Sequence, residues 1–278
     1  MQQIAVFRRI PEVWKCERLT SQWLSLSLAY IGVTQLRFPF TLRLRTGESL
    51  VLQEATDLTI FWLVFVRSHY PVAAEDCTIV DVGANIGAFT LYAARTAPSA
   101  RIISVEPFPD TSKRLTETIT ANHLEDRVEV ANQAITGETG SVAMDRSQGV
   151  PSQYRSVLTP VPKMLNTVHK RHPGENRELG VSSVSLEDFL SGHHLEQVDL
   201  LKMNIHGNEY EVLLSSSPSV LRKIRRIALQ YHEVPAQLGL GKQDIIGKLT
   251  DAGFRLASDL DTGRGSGRAV FVLEPTIH

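Results

Sequence analysis

The sequence predicts a doubly wound α/β fold of Rossmann-like type. From residue 78 onward, short β-branched runs alternate with helical stretches, the pattern of βαβ units and a parallel sheet. The first of those runs ends in a glycine turn that opens a helix. The chain has 278 residues, 42% of them hydrophobic and 21% charged, enough to bury a core without disulfides or metal.

The elements follow in order. Residues 12–31 read as helix, and the apolar stretch 23–33 that overlaps its end as a buried or docking helix. Residues 36–54 alternate apolar and polar about Thr46-Gly47-Glu48, a hairpin with Pro39 at an edge. Thr56 or Asp57 caps a helix running to about Tyr70, with Leu58, Phe61, Trp62, Phe65 and Val66 on one face and Pro71 as its stop. TIVDVG is the first core strand and FTLYAARTA its helix. ARIISVEP is the second strand, followed by a helix through DTSKRLTETITANH with Asp110 or Thr111 as cap. RVEVANQAI is the third strand. VDLLKMNI, the helix NEYEVLLSS, RRIALQYHE, GFRLASDL and GRAVFVLEP complete the sheet. Residues 145–180 interrupt the rhythm with four prolines and an excess of Lys and Arg, either a solvated insertion or a lid over substrate. The expected organisation is an extension over 1–70 and a core domain over 71–278 carrying that insertion.

The chemistry concentrates at strand ends. Asp81, Gly83, Asn85, Ile86 and Gly87 form a turn between strand and helix, where open α/β sheets bind ligands. The spacing is neither the GxGxxG of dinucleotide folds nor a Walker loop, and Asp81 suits a ligand amine rather than a phosphate. Glu106, followed by Pro107, ends the next strand, where a carboxylate accepts both hydroxyls of a ribose. An amine at one strand and a ribose at the next describe S-adenosylmethionine. Asn132 and Ala134 are placed to flank an adenine, with a turn-forming Asn the alternative for Asn132.

Around these residues the chain resembles the FkbM-type S-adenosylmethionine-dependent methyltransferases. DVGANIGAFT resembles the family's cofactor loop, and VEPFP its ribose-binding strand end. NQAI with Gly140-Ser141-Val142, then VSLEDFL, VDLLKMNIHGNEYEVL and LQYHE, resemble its later segments. The likeness runs over about 36–278, thins in 145–180 and is most specific around 78–109 and 198–213. It implies a class I methyltransferase sheet with an N-terminal helix and hairpin lead-in. It also implies O-methylation of a hydroxyl on a small molecule, natural product or glycan.

The chain departs from the family pattern at Asn204 and His206, where two acids are usual. Asn204 keeps hydrogen-bonding capacity at the cofactor site, and His206 adds a group that titrates near neutrality. A hydroxyl acceptor must lose its proton as it attacks, so His206 is the first candidate base and His232, at the next strand end, the second. Glu209 reads as a first-turn helix acid favoured by the dipole. Tyr70, Tyr154 and Trp62 read as either acceptor wall or core. Without two anionic oxygens at 204 and 206 no metal is expected. N-methylation, carboxyl methylation and a cofactor-binding member without turnover are the alternatives.

Other classes are excluded on composition and motif. A balance of 29 basic against 30 acidic residues does not suit a nucleic-acid-coating protein. Neither [DN]PPY nor a Pro-Cys nucleophile is present, so no nucleic-acid acceptor is expected. The longest apolar run, 60–66, is far short of the ~20 residues of a membrane span. Cys16 and Cys77 form neither a disulfide framework nor a zinc pattern, which fits a cytoplasmic protein.

Overall fold

The computed structural model describes residues 10–146, 154–156, 178–232, 234, 238–261 and 266–275. The expected helix over 12–31 is two helices, α1 (Ile10–Leu19) and α2 (Trp23–Tyr30). Thr20 and Gln22 divide them by turning their side chains to the hairpin β1 (Phe40–Arg43) and β2 (Ser49–Leu52). Thr20 Oγ1 donates to the Arg43 carbonyl at 2.6 Å, and Gln22 accepts from the Arg43 amide at 2.8 Å. Such bonds compete with the helix ladder and end it.

Helix α3 (Ala55–Phe61) runs into a π-helical turn over Trp62–Val66. It ends there, short of Tyr70, with Ser68 in the left-handed region at φ 49°. Neither Thr56 nor Asp57 caps it, since Glu54 holds that position. Asp57 is instead buried, accepting the Gln53 amide at 2.8 Å and pairing with Arg114.

The core continues as β3 (Thr78–Val82), α4 (Ala88–Thr96), β4 (Arg101–Val105), α5 (Pro109–Ala121), β5 (Val128–Ala131), β6 (Ala134–Thr136), β7 (Gly140–Arg146), β8 (Tyr154–Ser156) and β9 (Glu178–Ser185). Then come α6 (Leu186–Gly192), β10 (Leu200–Met203), α7 (Glu209–Ser215), α8 (Pro218–Leu221), β11 (Arg226–Tyr231), α9 (Lys242–Asp251), β12 (Phe254–Asp261) and β13 (Gly267–Leu273). Helix α5 starts at Pro109 without a side-chain cap, so neither Asp110 nor Thr111 serves as one. Proline at the first helical position loses no intrahelical bond.

Seven strands form the main sheet in the order β12-β13-β11-β10-β3-β4-β5, with β13 antiparallel to both neighbours. The connection reverses between β3 and β10, which opens a crevice at their carboxyl ends. The expected third strand breaks at Asn132. Its first part, β5, pairs with β4, while β6 leaves for a second sheet ordered β6-β9-β7-β8. Most of 145–180, with the lid reading and the Tyr154 side chain, lies outside the described residues.

The sheet buries both faces, so its strands are nearly continuous apolar runs. On one face Ile79, Ile102, Leu200 and Ala228 share a core with Phe61, Trp62, Phe65 and Phe89. On the other, Val80, Ile103, Leu201 and Leu229 pack with Phe189, Val212 and Ile245. The first face joins the N-terminal segment to the sheet. Tyr30 stacks on Trp62 at 4.2 Å, Phe65 meets Tyr92 at 5.5 Å, and Asn122 of α5's carboxyl end bonds the Ser49 amide and carbonyl of β2 at 2.7 and 2.8 Å.

Candidate active site

The turn after β3 is built by close approach. Gly83 has φ +76°, and a Cβ there would lie 2.2 Å from the Asn204 carbonyl oxygen. Gly87 has φ +85°, and its Cβ would lie 2.8 Å from Leu115. The Gly83 and Ala84 amides both donate to the Val105 carbonyl at 3.0 Å, clamping the turn to the end of β4. Asn85 takes φ 53°, tolerated by asparagine, and its Oδ1 accepts from the Ile86 amide at 2.7 Å.

Beneath the turn a polar row crosses three neighbouring strands. Ser104, Asp81 and Lys202 stand side by side on β4, β3 and β10, all buried. Asp81 accepts from Thr90 Oγ1 and from Lys202 Nζ, each at 2.8 Å. The amine that Asp81 faces here is therefore the chain's own Lys202. The same ammonium donates to the Gly83 carbonyl at 2.8 Å and lies 5.5 Å from the Tyr70 ring and 5.6 Å from that of Phe89. Sequence reasoning passed over Lys202. Its signal was a lone lysine in an apolar four-residue strand, which requires a buried acid opposite.

Glu106 is buried at the end of β4. Its Oε2 accepts from the Asn85 amide at 2.9 Å and its Oε1 from the Phe108 amide at 3.2 Å. Burial pushes the carboxyl up to about 7, and the two amides pull against it. A carboxylate oxygen has room for more than one donor, so both oxygens retain acceptor capacity. Asn132 braces this strand end, donating to the Glu106 carbonyl at 2.8 Å and the Pro107 carbonyl at 3.0 Å. Its amide hydrogens are thereby committed, and Oδ1 is the edge it offers a ligand. Ala134 is buried behind it, in a cluster with Phe108 and Val142.

The crevice floor lies at the ends of β10 and β11. The Asn204 amide donates to the Val82 carbonyl at 3.1 Å, while its buried Oδ1 has no hydrogen-bond partner. Glu209 is fully buried, not a solvated first-turn acid. It accepts from the Ile205 amide at 2.8 Å, the Gly207 amide at 2.6 Å and His232 Nδ1 at 3.0 Å. Burial alone would raise its carboxyl, but His232 and the Ile205 amide hold it below the usual carboxylate range.

His232 Nε2 lies 3.3 Å from the Gln230 side-chain nitrogen, which only donates. That arrangement assigns the proton to Nδ1, facing Glu209, and the lone pair to Nε2. His206 is exposed at φ +54°, with its ring centroid 4.9 Å from that of His232. The structure thus brings both candidate histidines together and anchors His232 on a buried carboxylate. Trp62 is packed in the core against Tyr30. Tyr70 is buried beside the Asn204 amide, and burial pushes its phenol well up. Among the described residues, no group of three or more His, Cys, Asp and Glu side chains is arranged to hold a metal ion, and no helix is long and apolar enough to cross a membrane.

A central parallel sheet with a glycine turn after β3, a carboxylate ending β4 and a reversed strand next to one edge defines a class I, Rossmann-like methyltransferase domain. Residues 81–256 match the methyltransferase FkbM domain, and the chain belongs to that family, whose methyl donor is S-adenosylmethionine. It is 30% identical over 158 residues to Methyltransferase 1 of Beauveria bassiana, a match covering 54% of this chain and 63% of that protein. It is 28% identical over 220 residues to Methyltransferase sdnD of Sordaria araneosa, covering 72% and 83%. It is 24% identical over 205 residues to the 31-O-demethyl-FK506 methyltransferase FkbM of Streptomyces tacrolimicus, covering 66% and 74%. The chain spans less than two thirds of the length of the Beauveria protein.

Proposed function

We propose that this protein transfers a methyl group from S-adenosylmethionine to a hydroxyl of a small molecule, natural product or glycan, with His232 as general base. The Glu209–His232 pair carries this reading, because a buried carboxylate fixing Nδ1–H puts the lone pair on Nε2, which an acceptor hydroxyl takes over from the Gln230 side chain. A carboxylate acceptor would need no such base. The relative named for a 31-O-demethyl substrate supports oxygen as the attacked atom.

The residues fit the donor. Asn204 Oδ1 is a buried acceptor without a hydrogen-bond partner, and a ligand ammonium suits it. Glu106 has acceptor capacity for a ribose diol, and Asp81 acts through Lys202, which ties the Gly83 carbonyl in place. When bound, S-adenosylmethionine supplies a methyl carbon on a positively charged sulfur, open to in-line displacement. The chain's part is to hold that carbon and the acceptor oxygen in line, and to take the hydroxyl proton at His232 Nε2 as the oxygen attacks. Glu209 then faces an imidazolium, which its charge stabilises.

The test is transfer of radiolabelled methyl from S-adenosylmethionine to a panel of hydroxyl acceptors, polyketide alcohols and sugars, with wild type, His232→Ala and His206→Ala, each with and without EDTA. Transfer by wild type that survives EDTA and falls in His232→Ala supports the proposal. Wild-type rates in His232→Ala, or loss of activity with EDTA, overturn it.

A further inference from the structure

Arg268 stands opposite Gln230 in the β11–β13 pairing, so the two side chains share one face of the sheet. His232 follows Gln230 by two residues and continues along that face. Four other cations drawn into the protein hold acids. Lys202 holds Asp81, Arg226 holds Asp76, Arg114 holds Asp57 and Arg67 holds Glu12. Among the described residues no carboxylate pairs with Arg268, and its Nη1 is buried without a hydrogen-bond partner. A guanidinium nitrogen withdrawn from water and left unbonded is costly, and the cost is recovered when an anion arrives.

A second guanidinium, that of Arg67, reaches the same surroundings. His69 is driven down to about 3, by burial and then by Arg268 and Arg67, so it is neutral at working pH. Strand order separates Arg268 from the cofactor turn. Strand β13 is the third strand from β3, roughly 14 Å away at about 4.8 Å per strand. Arg268 therefore lies on the side of the crevice beyond β10, next to the proposed base and away from Glu106.

We infer that Arg268 binds an oxyanion, a carboxylate or a phosphate, carried by the methyl acceptor. The guanidinium fork matches either group bidentately. The inference rests on the proposed reaction only in calling the ligand the acceptor. The anion site itself is read without donor or turnover, so a failed transfer assay and a failed anion test are separate results.

The experiment is thermal unfolding of the full chain at fixed ionic strength, titrated with glucuronate, with inorganic phosphate, and with the neutral methyl ester of glucuronate. Wild type, Arg268→Gln and Arg268→Lys are compared. In wild type, one oxyanion should raise the Tm saturably, by about 2–4 °C once it is several-fold above its Kd, while the neutral ester does not. The anion with the lower midpoint distinguishes carboxylate from phosphate. Arg268→Gln should unfold at or above the wild-type Tm without ligand and lose the anion response, which Arg268→Lys retains in part. An equal anion response in Arg268→Gln, or none in wild type, overturns the inference.

Discussion

Glu209 Oε1 stands 3.0 Å from His232 Nδ1, and the same buried carboxylate takes the amides of Ile205 and Gly207. One side chain thus shapes the turn after β10 and fixes an imidazole on β11's carboxyl end. His232→Ala should lower kcat by about 10²–10⁴-fold, the usual worth of a general base, with cofactor affinity unchanged. Glu209→Gln keeps the shape and removes the charge, so it should lower kcat by a part of that factor. His206→Ala should cost less than either. Steady-state rates and calorimetric Kd values on the three variants check the order.

Glu106 should make cofactor affinity depend on pH. Its carboxyl is pushed up to about 7 by burial, and ribose hydroxyls donate more strongly to the ionised form. Binding therefore favours the deprotonated state, and affinity should rise as pH rises through about 7 and level off above it. S-adenosylhomocysteine titrations from pH 6 to pH 8.5 should show that rise in wild type and a flat profile in Glu106→Gln. A flat wild-type profile would show that the carboxyl does not meet the ribose.

Lys202 and Asp81 should behave as one unit. Lys202→Met or Asp81→Asn alone leaves an uncompensated buried group, at a cost of about 3–5 kcal/mol. The pair replaced together, Lys202→Met with Asp81→Asn, should cost less than the sum of the two. Lys202→Met should also weaken S-adenosylhomocysteine binding, because the Gly83 carbonyl loses its anchor. Denaturant melts on the four proteins measure the coupling, and additive losses would contradict it.

The N-terminal segment should be inseparable from the core. Phe61, Trp62 and Phe65 share one apolar cluster with Ile79, Phe89 and Leu200. A chain truncated to begin at Pro71 would expose that face of the sheet and should fail to give a cooperative melt. A truncated chain that folds and binds S-adenosylhomocysteine with full affinity would make residues 1–70 a separate unit.

Much of this was legible in the sequence because the signals were local. The alternation of β-branched runs and helices gave the parallel sheet, and glycine spacing with a strand-end Glu106 gave the turn and its partner. What the sequence withheld depended on register. Lys202 faces Asp81 only because β10 lies beside β3, 121 residues away in sequence. Glu209 carries the same first-turn position in a solvated helix as in a buried one, and only β11 brings His232 to it. The broken first helix and the split third strand share one cause. Thr20, Gln22 and Asn132 spend their side chains on distant backbone, which no local propensity reports.

The most direct measurement is calorimetric titration of the full chain with S-adenosylhomocysteine and, separately, with NAD, in wild type and Glu106→Ala. The geometry predicts one-to-one binding of S-adenosylhomocysteine, weaker binding or none of NAD, and a loss of about 1.5–3 kcal/mol in Glu106→Ala, as expected for hydrogen bonds to a charged group. Tighter binding of NAD, or unchanged S-adenosylhomocysteine affinity in Glu106→Ala, would contradict the placement of the cofactor across the 83–87 turn and the end of β4.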